Sequence, residues 1–316
     1  MSAPVVLASC DDYRREVVEA AVQRLLAPLG GWECFVQPGD RVLLKPNLIS
    51  ASRPEQAATT HPALLEALAV RLLELGARPF IGDAPAWGGP VTVAAATGVG
   101  ELCERLGIPF VFFDRHAPLP SRHPHVARRF HVDPHVLEAD LVINVPKMKA
   151  HQQLGFTGCM KNLYGCLARR EKAWHHGAQS RSDLHFARYL VAYQAALPVQ
   201  LHVVDAVVAM EGAGPRLGTP RHLGFLAAGT EAAAVDAVLA DVIGVPASHR
   251  FMLQAARELG LLEPSADIAV EGDRVDDLAV ADFVFPDLVG VFFSPWRLAR
   301  GWWRNRRLMA AERATG

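Results

Sequence analysis

The chain has 316 residues, 51% of them hydrophobic, and its 32 basic and 33 acidic side chains leave a formal net charge of −1. That length and apolar content supply a full core, which excludes a disordered chain or a disulfide-stapled miniprotein. The balanced charge gives no reason to expect a nucleic-acid partner.

Taken in chain order, short β-branched runs alternate with helical periodicity. Residues 5–9 read as a strand, 13–29 as an amphipathic helix with Val18, Val22, Leu25 and Leu29 on one face, and 41–45 as a strand running into Pro46. His61-Pro62 opens a helix reaching residue 75, Gly76 caps it, and 78–81 form a strand that ends at Gly82-Asp83. Strands follow at 110–113 and 141–145. Between them, 118–134 is rich in Pro, His and Arg and reads as a surface connection or a strand pair on the rim. A helix at 183–196, strands at 201–208 and 223–228, and helices at 232–243 and 249–259 complete the pattern. The alternation predicts an α/β fold, mostly parallel sheets with flanking helices, in two lobes with a cleft between them. Residues 1–290 form this body, with a lobe boundary near 118–140. The Trp/Arg-rich stretch 291–316 is expected to be a helix that docks on the body or on a homodimer partner.

The five cysteines, Cys10, Cys34, Cys103, Cys159 and Cys166, are scattered without the Cys-x-x-Cys spacing of a zinc knuckle or an iron–sulfur cluster, so reduced thiols and a cytoplasmic location are expected. The start, MSAPVVLASCDDYRRE, lacks the apolar run of a secretory signal, and no later window is apolar enough to span a bilayer, so no membrane role is expected.

In α/β sheets ligands gather at the carboxyl ends of strands. Four polar loops are expected there: Lys45-Pro46-Asn47, Gly82-Asp83, the run from Asn144 to His151, and the run from Asp205 to Pro215. Only five of the basic residues are lysines. Lys147, Lys149 and Lys161 cluster, and Lys45 sits in the first loop. In a chain that otherwise uses arginine, this is either a solvated basic turn or a place needing a compact ammonium or a tunable amine. Backbone N–H groups of Thr157, Gly158 and Cys159, with Asn162 beside them at a helix start, are expected to hold a carboxylate or phosphate, countercharged by Lys147, Lys149 or Lys161. There is no P-loop and no Gly-x-Gly-x-x-Gly fingerprint, so neither ATP nor NAD is indicated.

His151 is the imidazole of this cluster. Nearby ammonium groups would lower its pKa and favour a neutral general base; the alternative is a histidine that hydrogen-bonds a turn. His175 and His176 are candidate ligands for a divalent metal. Asp205 and Glu211 would orient a histidine or lysine, or bind a cation. Asp236 lies on an otherwise apolar helix, so it must be paired with a backbone N–H or an arginine, or face a polar cavity.

KPN at Lys45, TTHP at Thr59, GDAP at Gly82, NVPKMKAH at Asn144, TGCMKNLYG at Thr157, VVDAVVAMEGAGPRLGTP at Val203 and VDAV at Val235 occur in an order and spacing that resemble the bacterial and archaeal domain-of-unknown-function family 362, over about residues 5–244. Many members of that family carry a ferredoxin-like cysteine cluster; this chain lacks one. The stretch around His151 is also similar to the lactate racemase family, in which a Pro-His turn is followed ten residues on by a lysine and later by a histidine. That resemblance implies two α/β lobes with the site between them. It implies His151 as proton-transfer base, Lys161 as the tether of a nickel pincer nucleotide, and His175 or His176 as the nickel ligand. The second catalytic histidine of those racemases has no counterpart in GDAPAWGG.

The residues together point to an enzyme that acts on a small anionic metabolite, a carboxylate or phosphate, by proton transfer of the isomerase type. His151, Lys161 and Lys147 carry the chemistry, and Lys45, Asn47, Asp83, Lys149, Thr157, Gly158, Asn162, Asp205 and Glu211 form the anion pocket. Two alternatives stand beside it: a non-catalytic binding or delivery protein for an anionic cofactor or metal, and a redox-associated protein like the ferredoxin-bearing members of the first family.

Overall fold

The structure is a computed structural model and describes residues 4–168, 172, 182–262 and 268–289. Expectations for His175, His176 and the stretch 291–316 lie outside the described residues. The strands are β1 (Val5–Ser9), β2 (Arg41–Pro46), β3 (Arg78–Asp83), β4 (Phe110–Phe112), β5 (Ala117–Pro120), β6 (Arg129–Val132), β7 (Leu141–Val145), β8 (Lys147–His151), β9 (Gly155–Thr157), β10 (Leu201–Glu211), β11 (Thr219–Gly229) and β12 (Val270–Gly272). All but β5 and β6 belong to one sheet, in the order β12-β1-β11-β10-β7-β2-β3-β4, with β8 and β9 attached beyond β7 along β10. The pairs β10–β7–β2–β3–β4 are parallel, while β11 runs antiparallel between β1 and β10.

The central strands are apolar on both faces because both faces are covered. Val42 and Leu44 of β2 point into one core and Leu43 into the other; Leu141, Ile143 and Val145 of β7 oppose Val142 in the same way. Helices Arg15–Leu26, Pro62–Glu74 and Val99–Leu106 pack on the first side, and Asp183–Ala196, Ala232–Val242 and Phe251–Glu258 on the second. Local signals set their ends. Pro62 opens its helix with His61 Nδ1 accepting from the Ala63 N–H at 3.2 Å, and Gly76 turns the chain out of it at a φ of +76°.

The stretch 118–134 contains the antiparallel hairpin β5–β6, the strand pair that was one of its two expected forms, and the chain then enters the large sheet at β7, which carries a helical layer on each face. One expectation changes. The runs expected as loops after β7 and within 205–211 are strands. Pro146, which lacks an N–H for the ladder, separates β7 from β8. β8 then pairs parallel with the second half of β10 at Asp205–Lys147 and Met210–Lys149, across a register shift between Ala206 and Val208. No described helix is long and apolar enough to cross a membrane.

Candidate functional site

β2 and β3 end side by side, and an ion pair joins their carboxyl ends: Lys45 Nζ lies 2.8 Å from Asp83 Oδ1, and the amine also donates to the Pro46 carbonyl at 2.6 Å. Lys45 is 0% exposed. Asp83 is fixed by the Leu48 N–H at 2.8 Å and its neighbour Ala84 N–H at 2.9 Å. β8 alternates, so Lys147 and Lys149 leave the same face of that strand. Lys149 Nζ donates to Asn47 Oδ1 at 3.0 Å and to the Ala58 carbonyl at 2.6 Å. Asn162 Nδ2 donates to Asn144 Oδ1 at 2.8 Å, and Asn144 is held in turn by His202 and the Cys159 carbonyl.

These groups surround a cavity of about 120 Å³ whose walls include Lys45, Lys149, Lys161 and Lys172 together with Asn47, Asp83, His151, Thr157, Asn162 and Tyr164. Among the described residues, four amines therefore face one space with a single carboxylate that is already paired. Lys172, whose amine donates to the Ala84 carbonyl, belongs to this wall and was not among the expected residues. Its signal was in the sequence: it is the fifth lysine of a chain that uses arginine everywhere else. Gly165 is required beneath the cavity, because a Cβ there would fall on Asp83 Oδ1 and the Lys45 amine. The Thr157 side chain is buried and its hydroxyl has no hydrogen-bond partner among the described residues.

Crowding of like charges in a dry place weakens protonation. Burial and then Lys45 push the Lys161 amine down to about 8. Burial likewise takes Lys172 to about 7, against the pull of Asp83. Lys149 is held well below the ordinary lysine value by burial and then by Lys161 and Lys147.

Several expected members stand elsewhere. Lys147 and Asp205 form a separate buried ion pair at 2.9 Å, between β8 and β10. Tyr13 closes that pair, accepting from Lys147 Nζ at 2.8 Å and donating to Asp205 Oδ1 at 2.7 Å, and its ring stacks on His61 at 3.6 Å. Asp205 Oδ2 also accepts the His61 N–H. Glu211 accepts from the Val284 N–H at 3.1 Å and is not part of the cavity wall. The expected anion turn is filled by the protein itself: Asp236 accepts the Cys159 N–H at 2.5 Å and the Met160 N–H at 3.1 Å, and a Cβ on Gly158 would meet its carboxylate. Burial raises Asp236 to about 7 despite these donors.

His151 lines the cavity, but its Nδ1 accepts the N–H groups of Gln153 at 3.1 Å and Leu154 at 3.2 Å as the chain turns after β8. With Nδ1 engaged in this way, that nitrogen is not free to take a proton in this geometry. Among the described residues no group of three His, Cys, Asp or Glu side chains could hold a metal ion, and Asp83 is engaged by Lys45; the expected ligands His175 and His176 lie outside those residues. Cys10 and Cys166, pushed up to about 12 by burial, and Cys103, pushed up to about 11, are poor ligands and nucleophiles, which leaves the redox alternative without support from them.

Comparison with known proteins gives three findings. The family described as Domain of unknown function (DUF362) matches residues 42–241. The thylakoid-associated protein sll1697 of Synechocystis sp. is 35% identical over 287 residues, covering 90% of this chain and 88% of its own. The lactate racemase apoprotein from Thermoanaerobacterium thermosaccharolyticum is similar at a TM-score of 0.45 and 15% identity, over 71% of this chain and 54% of the racemase chain.

Proposed function

The chain belongs to the Domain of unknown function (DUF362) family, and for this member we propose an enzyme that binds a small carboxylate or phosphate and transfers a proton at the carbon next to it. The observation that carries this is the cavity in which Lys45, Lys149, Lys161 and Lys172 face, among the described residues, a single, already neutralised carboxylate. Such a wall repels itself until an anion enters, and the Thr157 hydroxyl supplies a further unmet hydrogen bond. Amines at about 7 and about 8 exchange protons near neutral pH, the range in which a general acid or base works best. In this reading Lys161 and Lys172 take the proton-transfer role first expected of His151, whose Nδ1 is engaged by the Gln153 and Leu154 N–H groups.

Calorimetric titration with oxalate and with phosphate tests the site, with Lys149→Met and Lys161→Met as controls. Saturable binding that falls at least about tenfold in each variant is expected, as for a charged hydrogen bond of about 1.5–3 kcal/mol. Equal binding by all three proteins would remove the proposal. Deuterium entry from D₂O into a bound carboxylate tests the chemistry: binding without exchange makes the protein a binding or delivery module. A cytoplasmic location is part of the same proposal. The relative's description as thylakoid-associated supplies the contrary outcome, which sedimentation of the protein with membranes at low salt would establish.

A further inference from the structure

We propose that Lys161 is a covalent nucleophile, whose ε-amine condenses with the carbonyl of a 2-oxo carboxylate seated in the lysine-walled cavity to form an imine. This rests on reading the cavity as an anion site and names the substrate class that site would take.

The amines around the cavity are not equivalent. Lys45 is bound to Asp83 and the Pro46 carbonyl, Lys149 to Asn47 and the Ala58 carbonyl, and Lys172 to the Ala84 carbonyl. Lys161 has no hydrogen bond or ion pair among the described residues; its amine stands 5.4 Å over the Tyr164 ring. An amine without an acceptor, crowded by like charges, is the arrangement that leaves a lysine neutral and nucleophilic. The other three ammonium groups are then placed to hold a carboxylate while Lys161 meets the adjacent carbonyl carbon. The anchor is rigid, since Asp236 holds the N–H groups of Cys159 and Met160 on the helix Cys159–Asn162 that carries Lys161. About 120 Å³ suits an oxo acid of three or four carbons.

The step balances within the protein and substrate. The Lys161 nitrogen lone pair forms the C–N bond as the carbonyl π pair moves to oxygen. Proton transfer from nitrogen to that oxygen gives a carbinolamine, and loss of water leaves C=N. No oxidant or reductant takes part. The imine, once protonated, draws electrons from the C–H bond on the far side of the imine carbon and acidifies it, so the proton is transferred one carbon further from the carboxylate, with the Lys172 amine left to take it.

The test uses the full chain, with pyruvate, glyoxylate and 2-oxobutyrate as probes and sodium cyanoborohydride to reduce any imine to a stable secondary amine. Intact mass and peptide mapping are expected to find one reduced adduct per chain, on Lys161, suppressed by excess oxalate. Lys161→Met and Lys161→Arg, each with its fold checked by circular dichroism, should give none. Adduct formation on another lysine, or undiminished labelling of Lys161→Met, would overturn the assignment. Oxalate binding by wild type with no adduct from any probe would overturn the imine and leave the anion site standing; absence of both would overturn the two together.

Discussion

At the scale of single residues, the consequence of Lys161 is a conflict between stability and binding. An amine buried beside Lys45 with no counter-ion among the described residues destabilises the empty protein, so Lys161→Met is expected to raise the melting temperature at pH 7 while it weakens oxalate binding. Differential scanning calorimetry and titration on the same two proteins check both halves. The pH dependence has a definite sign. A lysine whose pKa falls on folding binds fewer protons folded than unfolded, so its stability contribution is full above its ordinary value of 10.5 and is lost as pH falls through the folded value, about 8 for Lys161 and about 7 for Lys172. The advantage of Lys161→Met should therefore shrink between pH 7 and pH 10, a trend readable from melting curves. Anion affinity should move the other way and weaken as pH rises through the same values, because the ammonium charges that attract the ligand are being removed.

At the scale of elements, the pair Lys147–Asp205 ties β8 to β10, and through Tyr13 and His61 it also fastens the chain before helix Arg15–Leu26 and the start of helix Pro62–Glu74. Lys147→Met leaves a buried carboxylate without its cation and is expected to cost about 3–5 kcal/mol in chemical denaturation. Tyr13→Phe should cost less, about 1–3 kcal/mol, since it removes a neutral partner. Asp236→Ala leaves the Cys159 and Met160 N–H groups without acceptors and is expected to cost about 1–3 kcal/mol for each group.

Most elements were legible because their cause is local: β7 and the helix Asp183–Ala196 lie where apolar runs, periodicity and caps place them. β8 was not. Its lysines read as loop residues, and only pairing with a β10 displaced by a bulge makes them strand. The partner of Asp236 was foreseen in kind, a backbone N–H, but the donors lie 77 and 76 residues away, and no spacing shows that. Nothing in the spacing showed that a turn folds back over the His151 ring and engages its Nδ1. Lys172 was legible on the lysine argument and was passed over for its neighbours, a run of charged residues.

At the scale of the whole molecule, a ligand that binds only the folded chain shifts its stability by mass action. Oxalate at about 100 times its Kd should add about 2.7 kcal/mol. At roughly 2 °C per kcal/mol for a protein of this size, that is about 5 °C in the melting temperature, readable by thermal shift, and about 3 °C or less at the same concentration in Lys161→Met, for a tenfold or larger loss of affinity.

The distribution of lysine has one more consequence, for protein chemistry in the test tube. Lys45, Lys147 and Lys149 are at most 1% exposed, and the other two lysines, Lys161 and Lys172, stand at the cavity. The rest of the positive charge is arginine, which does not react with acylating reagents under mild conditions. In the folded protein a succinimidyl ester or trinitrobenzenesulfonate should therefore find, apart from the α-amino group, only the amines of the cavity. A reagent usually regarded as indiscriminate becomes a reporter of one place. A dye introduced this way would sit at the mouth of the cavity without any engineered cysteine, and a captured anion would register as slower labelling.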